Sequence, residues 1–225
     1  MTEQITALVT GANRGLGRQL AAELVARGAK VYAAARRPET VDLPGVVPIQ
    51  LDVTDPESIH AAAAIAGDVT VLVNNAGIFT QADLLTGPID EIRRELETNY
   101  FGTLNAIREF VPVIEKNGGG AILDVLSVLS WYHPPGFGAY SAAKAAGWAL
   151  TDSLRTELAP RGIHVAALHV GFMDTDMASF VPADQKVAPA VVAKQAIDGL
   201  LGGQAEILAD DLSRQVKASL STANS

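Results

Sequence analysis

Short apolar runs without polar alternation recur along this chain, each separated from the next by a stretch of helical pattern. Residues 5–9, 31–35, 46–51, 69–73, 121–126 and 164–170 are such runs, and 205–208 is a weaker last one. A strand reads as continuously apolar when helices cover both faces of its sheet. The helical stretches 16–27, 56–66, 88–116, 137–158 and 189–201 supply those covers. Their ends carry the expected signals: Gly28 stops the first, Asp55-Pro56 starts the second, and Gly202-Gly203 stops the last. The long third stretch is expected to bend near Gly102 or Pro112. Strand–helix alternation of this kind predicts an α/β fold with a doubly wound parallel sheet of about seven strands. No linker, charge run or repeat marks a boundary, so residues 1–225 read as a single domain. The tail after Asp211 is polar and is expected to wrap the surface or a neighbouring subunit.

Composition removes several function classes. The chain has no cysteine, which excludes disulfides, thiolate metal sites, a cysteine nucleophile and iron–sulfur clusters. Its 25 acidic and 17 basic side chains give a net charge of −8, a poor balance for binding DNA or anionic lipid. His60, His133, His164 and His169 have no carboxylate at i+3 or i+4 to complete a ligand pair, so no metal is expected. The first ten residues lack a basic, apolar leader, and no apolar run is long enough to span a membrane. The expectation is a soluble cytoplasmic protein with no nucleic-acid or membrane partner.

Directly after the first strand stands Thr10-Gly11-Ala12-Asn13-Arg14-Gly15-Leu16-Gly17. The glycine spacing is not G-x-G-x-x-G, yet the same physics applies. Glycines free the tight turn, and helix-start N–H groups can meet a pyrophosphate. The second strand ends Ala35-Arg36-Arg37, without the acid that usually holds ribose hydroxyls in an NAD site. Arg36 and Arg14 are expected to form a fork around a 2′-phosphate, which favours NADP(H).

Tyr140 and Lys144 are four residues apart in a helical stretch and so share a helix face. Ser127 stands just past one buried strand and Asn74-Asn75-Ala76-Gly77 past another, while Asn99 lies inside the long helix. Polar groups at the carboxyl ends of parallel strands are where such sheets bind ligands. With Asp52-Val53 and the glycine loop, these residues make the chain resemble the short-chain dehydrogenase/reductase family over nearly its whole length.

The resemblance implies a Rossmann fold and NAD(P)-dependent carbonyl/alcohol chemistry. Tyr140 would be the general acid, Lys144 would lower the Tyr140 pKa and hold the nicotinamide ribose, and Ser127 would polarise the substrate oxygen. Asn99 would hold a water that joins Lys144 to solvent. Thr10, Gly11, Asn13, Arg14, Gly15, Leu16 and Gly17 would surround the pyrophosphate. Asp52 and Val53 would meet the adenine, and Asn75, Ala76 and Gly77 the adenine-ribose side. The family's Pro-Gly after the sixth strand is Val170-Gly171 here, which leaves that turn less rigid. Gly171 and Thr175 still match the family; Phe172 and Met173 are expected near the nicotinamide, and Thr175 near its carboxamide or the pyrophosphate. Leu126 replaces the first of the family's two serines, but the spacing from Ser127 to Tyr140 is kept.

Phe79, Leu129, Trp131, His133, Phe172 and Phe180 fall on the segments that surround the family's substrate pocket, which suggests an apolar or aromatic carbonyl compound or alcohol. His133 is read as incidental to the chemistry. Residues 177–189 are short for a lid, so the pocket is expected to be open. Enoyl reduction, sugar epimerisation and nucleotide sensing without turnover are the competing readings; the complete Asn99-Ser127-Tyr140-Lys144 set favours carbonyl reduction. A homodimer or homotetramer is implied through the third and fourth helical stretches.

Overall fold

The computed structural model describes residues 5–220. Seven parallel strands form one sheet in the order β3-β2-β1-β4-β5-β6-β7. They are β1 (Thr6–Thr10), β2 (Lys30–Ala35), β3 (Val47–Gln50), β4 (Val71–Asn74), β5 (Gly120–Val125), β6 (Ile163–His169) and β7 (Glu206–Leu208). The helices are α1 (Gly15–Ala26), α2 (Pro56–Ile65), α3 (Ile89–Leu96), α4 (Gly102–Lys116), α5 (Gly138–Leu158), α6 (Pro189–Leu201) and α7 (Asp211–Leu220). The strand order reverses between β1 and β4, and this switch point opens a crevice at the carboxyl edge.

Alternate residues of each strand serve opposite cores. Ala7 and Val9 of β1 pack with Leu16, Leu20 and Leu24 of α1 and with Val192, Ala196 and Ile197 of α6. Leu8 between them faces Ile59 of α2, Phe110 and Ile114 of α4, and Leu158 of α5. This two-sided burial is why the strands lack polar alternation. Helix ends follow local chemistry. Asp55 Oδ1 accepts the Glu57 N–H at 3.1 Å and caps α2. Gly28, at φ 82°, closes α1: its N–H donates to Val25 O and that of Ala29 to Leu24 O.

Two expectations need correction. The stretch read as one helix over 88–116 is α3, a π-helical turn at Glu97–Phe101, and α4. The irregularity falls just before Gly102, where a Cβ would lie 2.7 Å from Val53 Cγ2, while Pro112 sits within α4. The polar tail, expected to wrap the surface or another subunit, forms helix α7 instead. Lys217 of α7 reaches over the rings of Trp131 and Trp148, at 4.7 and 5.3 Å, and pairs with Glu206 at 2.7 Å. Residues 221–225 of that tail lie outside the described residues.

Candidate active site

A cleft of about 1100 Å³ runs along the carboxyl edge of the sheet, from the β1–α1 turn to the start of α5. At its first end, Gly11 and Gly15 adopt φ 65° and 56°, a region open to glycine and costly for other residues. Gly17 has ordinary helical backbone, but a Cβ there would lie 2.3 Å from Gly11 O. The loop therefore folds back on the helix so tightly that only hydrogen fits. No side chain caps α1 and no acid occupies its first turn, so the positive end of the helix dipole faces the cleft unopposed. A cradle of this size and sign fits a pyrophosphate.

Residues at the ends of β1 and β4 hold this loop in place. The Thr10 side chain is buried behind the cleft wall, where Oγ1 accepts the N–H groups of Asn75 and Ala76 at 2.9 and 3.0 Å. Asn75 Nδ2 donates to Thr10 O at 2.9 Å and Gly11 O at 3.2 Å. Thr10 and Asn75 thus join the ends of β1 and β4. Asn13, Leu16, Arg36, Asp52, Val53, Ala76 and Gly77 line the cleft nearby. The expected arginine fork is not formed. Arg14 Nη1 instead pairs with Asp176 at 2.8 Å, both side chains largely in solvent, and Arg36 is exposed beside the cleft. An exposed pair of this kind is worth little, so Arg14 can change partner at small cost.

At the other end stand Ser127, Tyr140 and Lys144. Ser127 Oγ accepts the Leu129 N–H at 3.1 Å and caps a short helical turn. Lys144 Nζ donates to Val125 O at 2.8 Å and lies 5.5 Å from the Tyr140 ring centroid. Burial pushes the Lys144 pKa down to about 8. Tyr140 departs from expectation: burial, together with the Glu95 charge, raises its pKa well above the ordinary phenol value. The phenol is therefore protonated at neutral pH, the form that an acid needs.

Asn99 lies behind the wall and not on it. Its Oδ1 accepts the Ile78 N–H at 3.1 Å and its Nδ2 donates to Ile78 O at 3.0 Å. Gly77 permits that approach, since a Cβ there would lie 2.6 Å from Asn99 Oδ1. The side chain expected to hold a water spends one donor and one acceptor in bracing the backbone after β4.

The pocket wall differs from the sequence reading in two residues. Trp131 turns away from the cleft and stacks on His169 at 3.8 Å between centroids, with Trp148 edge-on at 5.8 Å. Burial pushes the His169 pKa down to about 4, so the ring is neutral, and Nδ1–H donates to the Ser127 carbonyl at 3.2 Å. A flat neutral ring buried at the end of β6 gives Trp131 a better apolar partner than the open cleft does. His133 is exposed and borders a separate, shallower depression beside Leu84 and Leu85. Phe79, Leu129, Phe172 and Phe180 do line the cleft, and the structure adds Phe137 and Met177. Four of the six phenylalanines pack on one another here. Phe79 stacks on Phe137 at 5.2 Å, Phe180 lies 5.8 to 6.1 Å from Phe79, Phe137 and Phe172, and Phe79 meets the Tyr140 ring edge-on at 5.5 Å.

Gly171, Phe172, Met173 and Thr175 follow β6 along the cleft. The turn that lacks the family proline is pinned by Asp210, a residue the sequence reading passed over. Its Oδ2 accepts the Gly171 N–H at 2.5 Å, and its Oδ1 accepts the Ser213 N–H at 2.7 Å, capping α7. Asp210→Ala is expected to cost about 0.5–2 kcal/mol of stability, the usual range for a lost cap. Thermal denaturation of the variant checks this, and an unchanged midpoint would show that the anchor is dispensable.

The family model for short chain dehydrogenases matches residues 5–186. The chain is 37% identical over 211 residues to the 3-oxoacyl-(acyl-carrier-protein) reductase FabG of Salmonella typhimurium, covering 89% of this chain and 85% of that protein. It is 38% identical over 212 residues to FabG of Escherichia coli, with the same coverages. A short chain dehydrogenase from Burkholderia cenocepacia, solved in complex with NADP, superposes with a TM-score of 0.93 at 38% identity, over 99% of this chain and 94% of that one. The glycine cradle, the Ser127-Tyr140-Lys144 group and these likenesses agree: the chain belongs to the short-chain dehydrogenase/reductase family of oxidoreductases.

Proposed function

We propose that this chain is an NADPH-dependent reductase that converts ketones and aldehydes reversibly to alcohols, with residues 1–225 as one nucleotide-binding unit. The observation that carries this reading is continuity. One cleft joins the glycine cradle to Ser127, Tyr140 and Lys144 and to the phenylalanine wall. The solved relative that contains NADP supports the choice of nucleotide. When bound, the dihydronicotinamide supplies a hydride for the carbonyl carbon. Ser127 Oγ holds the carbonyl oxygen and polarises it. Tyr140 gives its phenolic proton to that oxygen as the carbonyl becomes an alkoxide. The Lys144 ammonium stabilises the tyrosinate left behind and holds ribose hydroxyls. Asn99 acts through the Ile78 backbone, which fixes Phe79 against Tyr140. We also propose a homodimer or homotetramer, as the family resemblance implies.

Arg36 and Arg14 would share the 2′-phosphate once Arg14 leaves Asp176. A charge-assisted bond to phosphate is worth about 1.5–3 kcal/mol. Arg36→Ala is therefore expected to raise KM for NADPH by roughly ten- to a hundredfold and to leave KM for NADH nearly unchanged. Steady-state kinetics with both nucleotides test it, and a parallel loss for both would remove the phosphate role.

The FabG relatives favour a second reading, reduction of 3-oxoacyl thioesters. The aromatic wall supports aryl and bulky apolar ketones instead. Comparing kcat/KM for an aryl ketone series with that for a 3-oxoacyl thioester decides between them.

A further inference from the structure

Within electrostatic reach of Lys144 lies a buried carboxyl group, Asp124 of β5, 1% exposed, whose hydrogen-bond partners are uncharged. Asn74 Nδ2 of β4 donates to its Oδ1 at 2.8 Å. Its Oδ2 lies 2.8 Å from Thr151 Oγ1 of α5. Thr151 Oγ1 also lies 2.8 Å from Gly147 O, one helical turn back.

These distances set a proton-counting problem. A threonine hydroxyl has one proton to donate. The Gly147 carbonyl can only accept, and so can an ionised Asp124. With a carboxylate at 124, two acceptors would compete for one proton at equal distance, and one contact would be buried oxygen against oxygen. With a protonated acid both bonds form in series. Asp124 O–H donates to Thr151 Oγ1, and Thr151 O–H donates to Gly147 O. Asn74 still donates to the remaining carboxyl oxygen. Burial raises the Asp124 pKa, in the same direction. The charged groups that face it are Lys144 and Arg155, both on α5; β4 and β6 present Asn74 and Ala167 at the paired positions. Arg155 spends its donors elsewhere, on Asp152 and on the carbonyls of Val165 and Ala205. Lys144 directs its one hydrogen bond among the described residues to Val125 O.

We propose that Asp124 is a positioning residue held as a neutral carboxylic acid in the working enzyme, so that the Lys144 charge stays uncompensated and acts on Tyr140. The consequence for catalysis rests on the role assigned to Lys144 above. The protonation state does not. An ionised Asp124 would neutralise Lys144 and weaken its stabilisation of a tyrosinate. The neutral acid fills the same space without that cost and ties β4, β5 and α5 together.

Asp124→Asn tests this, because an amide mimics the neutral acid: its NH₂ can donate to Thr151 and its carbonyl can accept from Asn74. The variant is expected to keep ketone reductase activity within about twofold at neutral pH, and the alkaline limb of its kcat/KM profile is expected to superpose on that of the parent. The sign of the stability effect also follows. As pH rises above the ordinary carboxylate range, the unfolded chain releases the Asp124 proton while the folded chain keeps it. The parent therefore loses stability relative to Asp124→Asn as pH increases. If Asp124 is ionised instead, the amide removes a negative charge beside Lys144. The alkaline limb then moves to lower pH, the variant is the less stable at neutral pH, and the proposal falls.

Infrared spectroscopy of the parent protein gives an answer independent of activity and of the variant's folding. A carboxylic acid C=O band that persists at neutral pD, and shifts when the aspartates carry ¹³C at the side-chain carboxyl, is expected. The aspartate label separates it from any contribution of buried Glu95. Absence of a label-sensitive acid band overturns the proposal even if Tyr140 and Lys144 act as assigned.

Discussion

Tyr140→Phe is expected to lower kcat for ketone reduction by about a hundred- to ten-thousandfold while NADPH affinity changes little. The substitution removes one oxygen and keeps the ring. That ring is held edge-on by Phe79 at 5.5 Å and rides on a helix whose adjacent Ala139, Ser141 and Ala143 are buried, so the wall keeps its shape. What disappears is the proton for the carbonyl oxygen. Ser127 can still hold that oxygen by a hydrogen bond, which accounts for residual turnover. The pH dependence carries a sign. Tyr140 is protonated at neutral pH because burial and Glu95 raise its pKa, whereas Lys144 gives up its proton near pH 8. Reduction by the parent should therefore weaken as pH rises through about 8, and the limiting group is Lys144. Single-turnover rates across pH, with NADPH affinity measured by fluorescence titration, separate chemistry from binding. Undiminished turnover in Tyr140→Phe would show that another group supplies the proton.

Gly17→Ala should produce the largest effect at the cradle end, and its direction opposes helix propensity. In a helix interior, alanine is ordinarily better than glycine by roughly 1 kcal/mol. Here the added Cβ would sit 2.3 Å from Gly11 O, 2.4 Å from Asn75 Nδ2 and 2.9 Å from Gly11 C. Two of these contacts are backbone atoms, and Asn75 Nδ2 is fixed by its bonds to Thr10 O and Gly11 O. None of the three is the free end of a flexible chain. Overpacking costs about 1–3 kcal/mol beyond any propensity gain. For a chain of this size a net loss near 2 kcal/mol lowers Tm by roughly 4–8 °C. The loop must also shift, and misplacing a positioning element by about 1 Å can cost on the order of a hundredfold in kcat/KM. Calorimetry and NADPH titration check both parts. A more stable Gly17→Ala with normal nucleotide binding would mean that the loop is looser than the contacts imply.

The parallel sheet, the glycine loop and the Ser127-Tyr140-Lys144 group were legible in the sequence because their signals are local or fixed by spacing. An apolar run, a Gly at a strand end and a four-residue helical interval need no knowledge of distant residues. The misread features depend on partners far along the chain. Trp131 leaves the cleft because His169 offers it a buried flat face, and nothing near residue 131 announces that. Helix α7 is mostly polar and holds through Lys217 against two tryptophans and Glu206, so its own pattern is weak. Asn99 occupies a π turn, an irregularity that periodicity does not encode, and its bonds go to Ile78. Arg14 meets Asp176 after a long excursion of the chain. Asp124 looked like one residue of an apolar strand; only the distances to Thr151 and Asn74 give it a part beside Lys144.

The reading of this chain as a carbonyl reductase stands on one product. Incubating the protein with NADPH and an aryl ketone, and quantifying the alcohol against nucleotide consumed, should give one alcohol per NADPH in the parent and almost none in Tyr140→Phe. Tight NADPH binding with no alcohol from any aryl ketone, or nucleotide consumed without alcohol, would contradict it.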